Sequence, residues 1–167
     1  MRLETLHTEH LFAGKLRLTL NWHADSIVEI GLGWDDGTVT HATTPQSDLS
    51  ACGRATQAAL EQYAAGKPTR WPDMPLALHL CTPFTREVLT QLCTVPAGST
   101  VTYKQLAAMA GRPNAARGVG QIMRRNRWPL IVPCHRVLGS TGAMVGFANP
   151  SGIPLKEYLL QLERGAA

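Results

Sequence analysis

Residues 101–126 read VTYKQLAAMAGRPNAARGVGQIMRRN, and their punctuation predicts two short helices in succession. Thr102 and Gln105 have the spacing of a capping box, which opens the first helix. Gly111 and Pro113 stop it, and Asn114 can cap the second. Two helices joined by a four-residue turn match a helix-turn-helix. The second helix, 115–123, is unusual because Ala115, Ala116, Gly118 and Gly120 leave one side nearly bare. A glycine inside a helix costs roughly 1 kcal/mol relative to alanine, which makes sense where a neighbouring backbone or a ligand must come close. Arg117 is the one long side chain among these small residues. The pattern suits a helix laid in a DNA groove with Arg117 pushed inward, and it suits equally a closely packed helix pair with Arg117 in solvent.

Beyond this pair comes NRWPLIVPCHRVLGSTG, 126–142, in which Cys134 sits between a proline and a His-Arg pair. A thiol has an ordinary pKa of about 8.5 and becomes a nucleophile at neutral pH when a base or a positive charge favours its thiolate. His135 is adjacent, but neighbours on a strand point to opposite faces. A turn favoured by Pro133 could bring both to one side. The residues alone leave open a reactive Cys134 and an inert buried one. Leu155, Tyr158, Leu159 and Leu162 give a final helix with Pro154 at its start. Upstream, Thr82 caps a helix with Pro83 in its first turn and Phe84, Val88 and Leu92 as its buried stripe.

The first third reads as strands. Leu16, Leu18 and Leu20 alternate with polar residues, as do Val28, Ile30 and Leu32 before the turn signal Asp35-Asp36-Gly37. From Leu49 the period lengthens, and Leu49, Cys52, Thr56, Leu60 and Tyr63 fall on one helical stripe that Gly66 and Pro68 end. GKPTRWPDMP, 66–75, is a connector. The expected class is therefore α+β, with a small N-terminal antiparallel sheet and helix (1–80, a scaffold) and a mainly helical C-terminal domain (81–167) containing the helix-turn-helix.

Charge separates the two halves. Residues 1–81 carry six Lys/Arg and nine Asp/Glu, whereas residues 82–167 carry ten and three. Arg117, Arg124, Arg125, Arg127 and Arg136 crowd into twenty residues of the basic half. An anionic partner, nucleic acid above all, follows from this. Cys52, Cys81, Cys93 and Cys134 form no CxxC pair and no zinc-spaced cluster, so reduced thiols and no metal are expected. No apolar run is long enough to cross a membrane and no basic start precedes one, so the expected location is cytoplasmic, or nuclear in a eukaryote.

Several blocks, in order, resemble one family. PCHRV at 133–137, Asn126 before it, YKQLAAMAGRPNAARGVG at 103–120, the Gly146-Phe147 pair and LKEYLLQLE at 155–163 are similar to the methylated-DNA-protein-cysteine methyltransferases, the 6-O-alkylguanine-DNA alkyltransferases. The likeness spans 82–165; before it, only the strand-then-helix outline and LEQYAAGKPTRW fit. The resemblance implies single-turnover repair of double-stranded DNA containing 6-O-alkylguanine, bound through its minor groove by a monomer without a cofactor. It makes Cys134 the alkyl acceptor and has His135 take the thiol proton through a water. Glu163 orients His135, and Asn126 holds the turn under the cysteine. Arg136 is read as a structural ion pair. Helix 115–123, with Ala115, Ala116 and Gly120, enters the groove while Arg117 fills the place of the extruded base. The Tyr103 hydroxyl contacts that base and its ring crowds the 3' phosphate. Met123 and Phe147 wall the pocket, and backbone groups around Val137 meet the base edge.

The sequence departs from the family in AMVGFANPSGIPLK, 143–156, which is longer than expected. Asn149-Pro150-Ser151-Gly152 is strong turn chemistry, and Ser151 is the expected contact to the 6-oxygen. Two other readings compete: a helix-turn-helix sensor that binds alkylated DNA without chemistry, and a thiol hydrolase. The family's sensors lack the acceptor cysteine, and a hydrolase explains neither the basic helices nor the bare face.

Overall fold

Leu16, Leu18 and Leu20 are fully buried while the residues between them are half-buried, so their strand has a dry face and a wetter one. It is the central strand of a meander. The computed structural model describes residues 6–34, 42–145 and 151–165. Within them β1 (Leu6–Ala13), β2 (Leu16–His23) and β3 (Ser26–Trp34) pair antiparallel in sequence order, and the α+β class is the one expected. Val28 does not share the inner face with Ile30 and Leu32; Ile27 does. Asn21 pairs with Glu29 and Trp22 with Ile27, so Val28 is left unopposed in a bulge that reverses the side-chain phase. The Asp35-Asp36-Gly37 turn lies outside the described residues.

α1 (Ala51–Ala64) packs on the sheet. Ser50 caps it, accepting from Gly53 N at 2.9 Å, and Gly66, at φ +67°, ends it. The buried Glu9 carboxylate sits at its N-terminus, accepting from Trp22 Nε1 at 2.8 Å and from Ser50 N. A Cβ on Gly53 would come within 2.7 Å of Glu9 Oε1, so the carboxylate occupies the place of a side chain there.

α2 (Pro83–Cys93) begins at its Thr82 cap as expected. After β4 (Val101–Thr102) comes α3 (Tyr103–Met109), and its capping box is complete: Thr102 Oγ1 accepts from Gln105 N at 3.1 Å, and Gln105 Oε1 from Thr102 N at 2.7 Å. α4 (Ala116–Arg124) follows. Its start differs from the expectation. Asn114 does not cap it; Ala115 N bonds Arg112 O in a turn, and Ala115 takes the cap position with no side-chain hydrogen bond. The connection therefore runs from Ala110 to Ala115, longer than four residues. β5 (Val137–Leu138) pairs parallel with β4, and α5 (Gly152–Gly165) closes the described chain.

One buried apolar cluster runs from Leu11 on β1 to Leu159 on α5. Polar bonds stitch the sheet to the second half: Ile30 N donates to Arg127 O at 2.7 Å, and Trp128 Nε1 to Ile27 O at 2.8 Å. All four cysteines are free thiols. No helix among the described residues is long and apolar enough to cross a membrane.

Candidate functional site

Cys134 stands on a 3-10 turn, Cys134–Arg136, so the adjacent cysteine and histidine do not diverge as they would on a strand. The approach to it is braced. Asn126 Nδ2 donates to Val132 O at 2.9 Å, and its Oδ1 accepts from Trp128 N at 3.1 Å. Val132 N reaches back to Trp128 O at 2.8 Å. Between them Leu130, fully buried, has φ +72°, a left-handed conformation that a bulky residue adopts only under compulsion. Trp128 is itself fixed to the sheet through Ile27, so the thiol's position is transmitted from β3.

The turn and α5 enclose a charged cluster. His135 is 0% exposed and Glu163 1%, with His135 Nε2 2.6 Å from Glu163 Oε1. Arg136 donates from Nε to Glu163 Oε2 and from NH2 to Oε1, both at 2.9 Å, and from NH1 to Val95 O at 2.5 Å. Tyr63 of α1 donates its hydroxyl to Glu163 Oε1 at 2.8 Å. Burial would raise the Glu163 carboxyl, but the hydrogen bonds from His135 and Arg136 and their charge outweigh it and hold it at about 2. For His135 burial is the largest influence and lowers its pKa against the pull of Glu163, so the ring rests neutral. A neutral ring facing a carboxylate with Nε2 carries its proton there, which makes Nδ1 the acceptor. Nδ1 is buried and has no protein partner among the described residues.

Burial likewise raises the Cys134 thiol, opposed by Asn126, by the charge of Lys156 and by the backbone N–H groups of Cys134 and His135. The thiol is thus protonated at rest and needs a base. Lys156, fully buried on α5, donates Nζ to Val137 O at 2.7 Å and lies 3.5 Å from Val145 O. Burial lowers its pKa, and the nearby Cys134 raises it again. Neither Lys156 nor Tyr63 was marked as a site residue by the sequence. Each reads as an ordinary helix position, and only a charged residue at an i, i+4 step from an apolar one hints that Lys156 points inward.

A second surface adjoins the first. Ala116, Arg117, Gly120, Gln121 and Arg124 line a shallow groove on α4, together with Tyr103 at the start of α3. Arg117 and Gly118 are exposed, whereas Val119 and Met123 turn into the core. The glycines are not enforced by backbone contact. A Cβ on Gly118 would meet only the Phe84 ring at 3.7 Å, and one on Gly120 only the Tyr103 ring at 4.0 Å. The Tyr103 hydroxyl donates to Val145 O at 3.1 Å. Val137 is buried, its carbonyl taken by Lys156. Ala115 is half-buried at the head of α4, and Ser151 is half-buried just before α5. Phe147 lies outside the described residues, as does the rest of 146–150 within the lengthened loop.

Residues 83–165 match the family model described as 6-O-methylguanine DNA methyltransferase, DNA binding domain. The methylated-DNA–protein-cysteine methyltransferase of Methanosarcina barkeri is 45% identical over 104 residues, 62% of this chain and 63% of the relative, so the matched stretch spans less than two thirds of that protein. The enzyme of the same name from Mus musculus is 37% identical over 159 residues, covering 95% of this chain and 71% of its own length. The crystal structure of Mycobacterium tuberculosis O6-methylguanine methyltransferase has a TM-score of 0.75 at 30% identity over 98% of this chain and 95% of that one. Its complex with DNA matches equally, with a TM-score of 0.75 at 32% identity over 96% and 94% of the two chains. With likeness extending over nearly the whole chain, through sheet, paired helices and PCHRV turn alike, this protein belongs to the methylated-DNA–protein-cysteine methyltransferase family.

Proposed function

We propose that this chain repairs DNA by moving an alkyl group from the 6-oxygen of guanine to Sγ of Cys134, once per molecule. The observation that carries the reading is the buried series Cys134, His135, Glu163, in which the thiol's neighbour in the chain is a histidine whose Nε2 lies 2.6 Å from a carboxylate oxygen. His135 Nδ1 takes the thiol proton through a water. The sulfur–carbon bond forms as the carbon–oxygen bond breaks, and the electron pair leaves with guanine, which takes up a proton to become the ordinary base. Lys156 favours the thiolate by its charge, and Arg136 braces Glu163. A thioether has no ready leaving route, so the protein is consumed.

The groove on α4 fits the DNA minor groove, with Arg117 in the space vacated by a flipped nucleotide and Tyr103 beside the base. The uncapped N-terminus of α4 suits a phosphate, because its first N–H groups have no side-chain partner. Met123 and Phe147 as pocket walls, backbone groups around Val137 at the base edge, and Ser151 at the 6-oxygen complete the assignment. The M. tuberculosis relative solved with DNA supports the partner. The chain acts as a monomer wherever DNA is kept, in the cytoplasm or in a nucleus.

The test is intact mass after incubation with duplex DNA containing 6-O-methylguanine. One methyl added to the chain and mapped to Cys134 is the expected result. DNA binding without added mass would select the sensor, and turnover of simple esters the hydrolase.

A further inference from the structure

Glu163 Oε1 accepts from three donors, and the proposed chemistry accounts for only two of them, His135 Nε2 and Arg136 NH2. The third arrives from the other half of the chain, one hundred residues away in sequence, as the Tyr63 hydroxyl at 2.8 Å. We propose that Tyr63 is a positioning residue for the reaction, and that through this bond α1 holds the Glu163 carboxylate against His135. The inference rests on the proposed function and deepens it, giving the N-terminal half a part beyond scaffolding.

Three observations support it. Tyr63 is 4% exposed, so its hydroxyl has been taken from water and the bond to Glu163 is what offsets that loss. Its ring already packs against Trp71, with centroids 5.5 Å apart, and phenylalanine would fill that space without a buried polar group. Burial first, and then the Glu163 charge, push its phenol far above the ordinary range, so it is a donor at every working pH. Arg136 and Tyr63 hold the carboxylate from different elements. The charged or titratable groups around His135 are Glu163 and Lys156 from α5, Arg136 and Cys134 from its own turn, and Tyr63 from α1 behind the carboxylate.

A carboxylate relieved of one donor attracts a proton on His135 more strongly. Removing the hydroxyl therefore moves the histidine's titration, and with it the acid limb of Cys134 reactivity, to higher pH. The experiment is the pH profile of Cys134 alkylation by iodoacetamide, read as the mass of the Cys134 peptide. It is run on the wild type, Tyr63→Phe and Trp71→Phe, in parallel with methyl transfer from DNA. The expected result is an upward shift of the inflection by about half a pH unit or more for Tyr63→Phe, with none for Trp71→Phe, which disturbs the same packing. Combined with Glu163→Gln, Tyr63→Phe adds no further shift. Fluorotyrosine at position 63, a stronger donor, moves the inflection down. Identical profiles for wild type and Tyr63→Phe would overturn the inference even if methyl transfer is normal. Because iodoacetamide needs no DNA, the expected shift in Tyr63→Phe together with a wild type that never accepts a methyl refutes the proposed function and leaves the Tyr63 coupling standing.

Discussion

His135 Nε2 and Glu163 Oε1 stand 2.6 Å apart, both buried, at the junction of the cysteine turn and α5. The pair makes the fold acid-sensitive. Glu163 is held at about 2 in the folded chain, below the unfolded value, so its stabilisation is complete above about pH 4.5 and is lost as pH falls toward 2. His135 is also depressed when folded. The unfolded chain therefore takes up that proton first, and stability declines once pH drops below about 6.5. Thermal melts from pH 7 to pH 3 should show a steadily falling Tm, and a flat profile between pH 6.5 and 4 would contradict the assignment.

Glu163→Gln cannot impose the same histidine tautomer with the same charge. Alkyl transfer should slow by a factor on the order of 10² or more, while DNA affinity stays within about twofold of wild type. Single-turnover quench kinetics and a binding titration read the two quantities separately.

Cys134→Ser should abolish transfer and keep DNA binding, because the thiol and the α4 groove are separate features. The wild type should restore at most one lesion per chain. Product in excess of protein, measured by quench, would exclude the stoichiometric reaction.

Arg117→Ala should slow repair of duplex DNA at least about tenfold more than reaction with free 6-O-benzylguanine, which needs no base extrusion. Arg117 is exposed and bears no part of the core, so an equal loss on both substrates would indicate a damaged fold. Wild-type binding should also weaken steeply with salt as phosphate counterions return.

Gly120→Ala separates the two explanations of the bare helix face. A new Cβ meets only the Tyr103 ring, at 4.0 Å, so the free protein should gain up to about 1 kcal/mol from helix propensity. DNA affinity should nevertheless fall several-fold. A loss of stability in urea melts would mean that the glycine serves packing instead.

Asn126→Ala takes the Asn126 acceptor from Trp128 N and one of two donors from Val132 O, which keeps its bond from Cys134 N, and should cost about 1–2 kcal/mol. Transfer should fall further than stability explains, since the turn under Cys134 loosens, and denaturant melts compared with transfer rates check this.

The sequence by itself determined the elements whose causes are local. The Thr102–Gln105 capping box, the Thr82–Pro83 helix start and the Leu16-Leu18-Leu20 alternation are each written within a few residues, and each formed as read. The composition of the paired helices and the PCHRV turn likewise carried the family. Local reading erred where a neighbour intervened. A bulge between β2 and β3 turned Val28 out, and a turn at Arg112–Ala115 displaced Asn114 from its cap. The meeting of Tyr63 with Glu163, the burial of Lys156 against Val137 and the anchoring of Trp128 on Ile27 were decided only by tertiary structure. Each joins residues far apart in the chain, and sequence periodicity states which way a side chain faces on its own element without stating what another element brings to meet it.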